Sequence, residues 1–329
     1  MTGRTLDHYR VLEQIGSGGA GKVYRAIDQR SGCPVAIKVP ILPLRSSPMH
    51  PGRLRQEARV LASLRHPNIC AIRGAGRCAG VEYLVMELLE GQTLRAWMKG
   101  RPLHGTFLLR VALQTARALA AAHARRVLHG DLKPENVFIT RQGVVKVLDF
   151  GLAHFVSEES VARTGLRGSG PALSQRATLS DDLLPPHSPF GTFAYMSPEQ
   201  ARGDAIDLRS DLFSFGVVLY EMAAGRRPFT GRTWVDTLAS ILRDDPPPPS
   251  AIGGRAQPGI DGIVRRCLQK DPAERWGRTS EIEALLERLH SGAAPEVRFE
   301  RRVHARRTRP ARGRVVFGRK ACAAIHGEV

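Results

Sequence analysis

Three glycines in IGSGGAGKVYRA (15–26), Gly16, Gly18 and Gly21, have the G-x-G-x-x-G spacing of a turn that can receive phosphate. With Lys22 the stretch also makes most of a P-loop, but Val23 stands where that motif needs a magnesium-binding Ser or Thr. Dinucleotide-binding folds share the glycine pattern, and taken alone a flexible turn between two strands explains it as well. A second feature is electrostatic. In PGRLRQEARVLASLRH, Leu54, Ala58, Leu61 and Leu64 fall on one helical face, with Glu57 among them. An inward carboxylate costs several kcal/mol unless a cation meets it. Lys38, in the strand VAIKV, is the obvious candidate.

The elements around these residues change character along the chain. RVLEQIG, KVYRAID, PVAIKVP and VEYLVMEL are short and rich in β-branched residues, separated by Gly, Pro or polar clusters, and predict strands. Beyond residue 91, FLLRVALQTARALAAAHA has a core-facing helical stripe at 107, 111, 115, 118 and 122. Helices are also expected over 211–225 and in EIEALLERLH (281–290). A strand-rich first third with one helix, followed by a helical remainder, predicts an α+β protein with two lobes. The strand KVYRAID follows the glycines directly, whereas a dinucleotide-binding unit would place a helix there.

Composition narrows the class further. The chain has 329 residues, 42% hydrophobic and 24% charged, which suits a soluble globular protein with a sizeable core. Five scattered cysteines without a C-x-x-C pair argue against a disulfide scaffold or zinc site and suit a reducing cytosol. The N-terminus lacks the apolar region of a secretory signal, and the longest apolar stretch, FSFGVVLYEMAAG, reads as a buried core helix. A cytoplasmic location is the expectation. Of the net charge of +18, much lies in residues 293–329, which hold ten Lys or Arg against three Glu. This segment reads as a poorly ordered basic tail. A solvated arm, or a segment left where a larger protein was cut short, is preferred there over a nucleic-acid or anionic-membrane partner; the aromatic interleaving of a base-stacking surface is missing.

The stretch VLHGDLKPENVFI, then VKVLDFGLA and GTFAYMSPEQ, taken with Lys38 and Glu57, resembles the Ser/Thr protein kinase family. The likeness is strongest to its bacterial, eukaryotic-like (Hanks) type. It runs from about Tyr9 to His290, with each motif in the family's order. It implies a bilobal kinase fold: an extension over 1–8, an N-lobe over 9–87, a hinge over 87–91 and a C-lobe over 91–290. The C-lobe would contain an activation segment over 149–199, and the basic tail would occupy 291–329.

By this resemblance, Gly16, Gly18 and Gly21 cover the phosphates of ATP and Val23 packs on the adenine, with Ile15, Ser17 and Gly19 also part of the ATP-binding site. Lys38 would hold two phosphates and pair with Glu57. Ala36 and the gatekeeper Met86 would line the adenine pocket, with Phe138 beneath the base and hinge backbone from Glu87 to Leu89 meeting it. Asn136 and Asp149 would bind Mg2+, or Mn2+ in its place. Asp131 would be the catalytic base, with Lys133 near the transferring phosphate and Thr192 bonded to both. Leu61, His129 and Phe150 match an apolar spine, Glu199 and Arg275 a buried ion pair, and Asp211 a brace of the catalytic loop. The resemblance implies an ATP-dependent kinase of protein Ser/Thr hydroxyls, its own included. A pseudokinase that binds nucleotide or partners is the rival reading, and retention of Lys38, Asp131, Asn136 and Asp149 counts against it. Small-molecule kinase activity fits less well, because GTFAYMSPE resembles a peptide-docking loop.

Two departures stand out. Gly130 occupies the HGD position where most of the family carries Arg, the cation that pairs with a phosphorylated activation loop. The loop is also long and rich in acceptors, among them Ser157, Ser160, Thr164, Ser169, Ser174, Thr178, Ser180 and Ser188. Thr178 and Ser180 are the expected autophosphorylation sites, favoured by tethering close to the active site. Without the arginine, catalysis should not depend on loop phosphate. Ser/Thr→Ala variants through the loop are therefore expected to keep phosphotransfer activity in a peptide assay. Loss of activity with folding and ATP binding intact would contradict this.

Overall fold

The computed structural model describes residues 1–18, 21–40, 62–150, 193–253 and 258–292. Glu57, Leu61 and most of the helix expected around them lie outside these residues, as do Gly19, Thr192, the loop acceptors and all of the basic tail beyond residue 292.

The first lobe is a six-stranded sheet in the order β1-β2-β3-β4-β6-β5. Its strands are β1 (Thr5–Leu6), β2 (Tyr9–Gly18), β3 (Gly21–Asp28), β4 (Pro34–Val39), β5 (Ile72–Cys78) and β6 (Val81–Glu87). All neighbours run antiparallel. Because strand side chains alternate between faces, β4 divides its residues in two. Val35 and Ile37 join Leu6, Val11, Tyr24, Ala26, Tyr83 and Val85 in a hydrophobic core. Ala36 and Lys38 therefore face the other side. A one-residue slip would exchange the two sets and bury the wrong face, so the core itself fixes the register that points Lys38 into the site.

Of these strands, β5 has the weakest sequence signal. IRGAGRC is poor in β-branched residues, yet it pairs along β6 with Gly76 opposite Tyr83. The Tyr83 ring fills the space that a Cβ at Gly76 would need. Cross-strand packing here replaces local propensity.

A second, three-stranded antiparallel sheet, β7 (Gly91–Thr93), β8 (Val137–Thr140) and β9 (Val145–Val147), begins the helical lobe. Its principal helices among the described residues are α1 (Leu94–Met98), α2 (Gly105–His123), α3 (Pro198–Arg202), α4 (Leu208–Ala224), α5 (Trp234–Arg243), α6 (Ser250–Gly253), α7 (Pro258–Cys267) and α8 (Thr279–His290). Helix α2 buries the expected Val111, Thr115, Ala118 and Ala122, together with Leu108, Leu109 and Ala112. Helix α4 is buried almost all round, as its continuous apolar run predicts. Its Asp211 accepts bonds from the backbone of the loop at His129 and Gly130.

Glu199 of α3 and Arg275 form an ion pair at 2.6 Å, with side chains 5% and 0% exposed. Both terminal guanidinium nitrogens, Nη1 and Nη2, donate to the carboxylate, and Ser210 adds a third donor. Burial alone would raise the Glu199 pKa, but the Arg275 contacts outweigh it and hold the carboxyl below its ordinary 4.5. Its stabilising contribution is therefore present above pH 4.5 and is lost as pH falls through the depressed value. Arg275→Met, which strands the buried carboxylate, is expected to cost about 3–5 kcal/mol in urea unfolding. Replacing Glu199 by Met as well should recover most of that loss.

Candidate active site

The sheet register assembles one wall of the site. Opposite residues share a face, and Val23 lies opposite Lys38, Lys38 opposite Leu84, and Ala36 opposite Met86. Val23, Ala36, Lys38 and Met86 thus line one surface. Lys22 is exposed, an ordinary strand residue. The glycines differ among themselves. At Gly21 (φ +144°) a Cβ would collide with the Val39 carbonyl, so only glycine fits. At Gly18 there is open space, and at Gly16 a Cβ would make only ordinary contact with Val23. Backbone at Gly16–Gly18 is therefore accessible to a bound group, with Ser17 exposed and Ile15 47% exposed beside it.

Lys38 is almost fully buried, and its Nζ meets Asp149 Oδ2 at 2.6 Å. Asp149 has φ +58°, a conformation uncommon outside glycine, at the residue where the resemblance puts a metal ligand. Glu57, the other expected partner of Lys38, lies outside the described residues.

The catalytic loop supplies the opposite wall. Lys133 Nζ donates to Asp131 Oδ2 at 2.6 Å. Asn136 Nδ2 donates to the Asp131 carbonyl at 2.8 Å, which turns its Oδ1 to the other side of the amide. The Asn136 carbonyl accepts from Leu148 N at 2.8 Å, tying the loop to the residue before Asp149. His129 closes the arrangement. Its Nε2 lies 2.9 Å from the Leu148 carbonyl, and its Nδ1 accepts from Asp131 N at 3.2 Å. One neutral tautomer satisfies both bonds. The His129 and Phe150 rings meet edge-on at 4.7 Å, as the expected spine requires.

Beneath the loop lies Asp211, fully buried near the start of α4. Its Oδ2 accepts from His129 N (2.7 Å) and its Oδ1 from Gly130 N (2.8 Å). His123 Nε2 also contacts Oδ2, at 2.7 Å, and its Nδ1 lies 2.6 Å from Thr279 Oγ1. Burial pushes the Asp211 pKa up, but the contact with His123 and the bond from the His129 N–H outweigh it and the net shift is downward. The brace is a carboxylate.

Sequence reasoning missed several side chains that hold this site. At the hinge, Glu87 Oε1 accepts from Ala71 N (2.8 Å) and pairs with Lys146 of β9 (2.7 Å). Its side chain is thus committed to the scaffold. Leu89 and Phe138 are both half-buried near the hinge and β8. Arg95 of α1 bridges Glu135 (2.7 Å), Glu221 (2.7 Å) and the Tyr195 hydroxyl. Tyr195 in turn donates to Glu221 at 2.6 Å. Burial would lower the Arg95 pKa, but Glu221, Tyr195 and Glu135 together raise it. Partners 40 to 126 residues apart leave no local trace. Gln200 was missed too, although the S-x-x-Q spacing of a capping box in S-P-E-Q could have found it.

A protein kinase domain model matches residues 9–288. The chain belongs to the protein kinase domain family. The kinase PknB of Mycobacterium tuberculosis is 36% identical over 295 residues, covering 88% of this chain and 44% of the relative. A probable serine/threonine-protein kinase of Streptomyces coelicolor is 35% identical over 289 residues, covering 86% of this chain and 40% of the relative. The chain therefore spans less than half the length of these relatives. Among solved structures, the PknI kinase domain of M. tuberculosis superimposes with a TM-score of 0.64 at 23% identity, covering 88% of this chain and 99% of that one. That likeness shows the kinase fold. No helix among the described residues is long and apolar enough to cross a membrane.

Proposed function

We propose that this kinase domain transfers the γ-phosphate of ATP to Ser or Thr hydroxyls of proteins, including its own. The observation that carries the reading is the convergence of Lys38–Asp149 with Asp131, Lys133 and Asn136, through bonds that run along one loop and across to Leu148, just after β9. Phosphoryl transfer needs positioning and charge cancellation more than covalent chemistry, and these residues offer both.

In this reading the open backbone around Gly16–Gly18 receives the phosphates and the Lys38 ammonium holds them. Asp131 orients the acceptor hydroxyl and takes its proton as the hydroxyl oxygen bonds to the γ-phosphorus. The bond from that phosphorus to the bridging oxygen then breaks, releasing ADP. Lys133, bonded to Asp131, supplies positive charge beside the transferred group. Asp149 and the Asn136 Oδ1 are hard oxygen donors of the kind that suits Mg2+, or Mn2+. Bound there, such an ion would offset phosphate charge. Phe193–Tyr195, followed by the capped helix α3, offers a peptide-docking ledge beside the loop, with Phe193 against Trp234 at 5.9 Å. The reading includes a cytoplasmic setting, where ATP is supplied. The buried thiols of Cys70 and Cys267, pushed up to about 12 by burial, are poor nucleophiles.

Dephosphorylated protein incubated with Mg-ATP should gain phosphate on Ser or Thr, seen by intact mass. Asp131→Asn should slow this by about 10²–10⁴-fold. No gain in wild type, together with an ATP-induced rise in melting temperature, would replace the kinase by a nucleotide-binding module.

A further inference from the structure

Gln200 uses both ends of its side-chain amide. Its Oε1 accepts from Ser197 N at 2.9 Å, completing the capping box of α3. Glutamate would serve that purpose equally well. Its Nε2 does something the cap does not need: it donates to the Gly130 carbonyl at 2.8 Å.

That carbonyl belongs to the peptide unit whose N–H is that of Asp131. The N–H end is held by His129 Nδ1 at 3.2 Å, so the unit is gripped at both ends. The preceding unit is fixed by Asp211 through Gly130 N. Gly130 itself has φ +75° and no Cβ to restrict it. The softest backbone position in the loop therefore lies next to Asp131, and the Gln200 donor reaches it from helix α3, just past the activation segment.

We infer that Gln200 is a positioning residue for Asp131. Its amide N–H sets the Gly130–Asp131 peptide plane, and so the direction of the Asp131 side chain, through a neutral bond that needs no phosphate. The inference concerns regulation of the proposed kinase site and rests on that reading for its effect on rate. The hold on the loop is a separate physical claim. It couples the segment that would dock substrate to the residue that would accept the proton, in the unmodified chain.

Gln200→Glu keeps the capping acceptor and puts an oxygen opposite the Gly130 carbonyl; Gln200→Met removes both bonds at similar volume. Amide exchange of the peptide spanning 127–133, measured on the dephosphorylated full chain without nucleotide, reads the hold directly. It should speed up about tenfold in Gln200→Glu while exchange in α4 stays at the wild-type rate. Steady-state kinetics read the consequence. The expected result is a fall in kcat of about tenfold or more, within the range that small misplacements produce, with KM for ATP unchanged. If Gln200→Glu does not fold, Gln200→Met carries the same two expectations. Unchanged exchange over 127–133 in a folded variant overturns the inference, as does a raised KM at unchanged kcat. A wild type without transfer activity would instead sink the kinase reading, and the exchange comparison would still decide the hold.

Discussion

A fully buried carboxylate governs this site. Asp211 is 0% exposed, and an isolated charge in that position would be prohibitively costly. It is tolerated because His123 and the N–H groups of His129 and Gly130 converge on its two oxygens. The relation also runs the other way: the loop adopts the path that satisfies the carboxylate. Asp131 follows directly, so its position is set by the demand for donors around Asp211, and α4 is rigid enough to carry that demand because nearly all of it is buried.

The opposite wall depends on a different constraint. Hydrophobic burial on one face of the first sheet fixes the strand register, and the register presents Val23, Ala36, Lys38 and Met86 on the other face. The walls meet where Lys38 reaches Asp149 and where Leu148 is bonded to both Asn136 and His129. Each contact is ordinary in strength. Their value lies in the shared geometry, since a rigid, charge-lined cleft pays no reorganisation at the moment of transfer.

Much of this was legible in the sequence where chemistry restricts residue type. A turn that must admit a bound group selects glycine, and Gly21 follows from that rule, whereas Asn136, Asp149 and the Glu199–Arg275 pair were reached through the family resemblance of the motifs that carry them. Strands and helices with clear period were likewise visible. The signal failed where distant residues decide the outcome. Strand β5 exists because Tyr83 packs over Gly76, and Arg95 is held by groups on three other segments. Helices α5 and α7, ten residues each, were not read from the sequence. The role of Gly130 also changed meaning. In sequence it was a missing cation, and in structure it is a left-handed backbone position bonded on both sides.

The most direct measurement is the phosphotransfer rate of Asp211→Asn beside wild type, with nucleotide affinity measured on the same samples. The substitution keeps the shape, removes the charge and turns one acceptor into a donor facing a backbone N–H. If the buried carboxylate positions the catalytic loop, kcat falls by about 10²-fold, as expected for a base displaced by about 1 Å, while ATP affinity is retained. A folded Asp211→Asn protein with wild-type kcat would show that the loop holds its geometry without the charge.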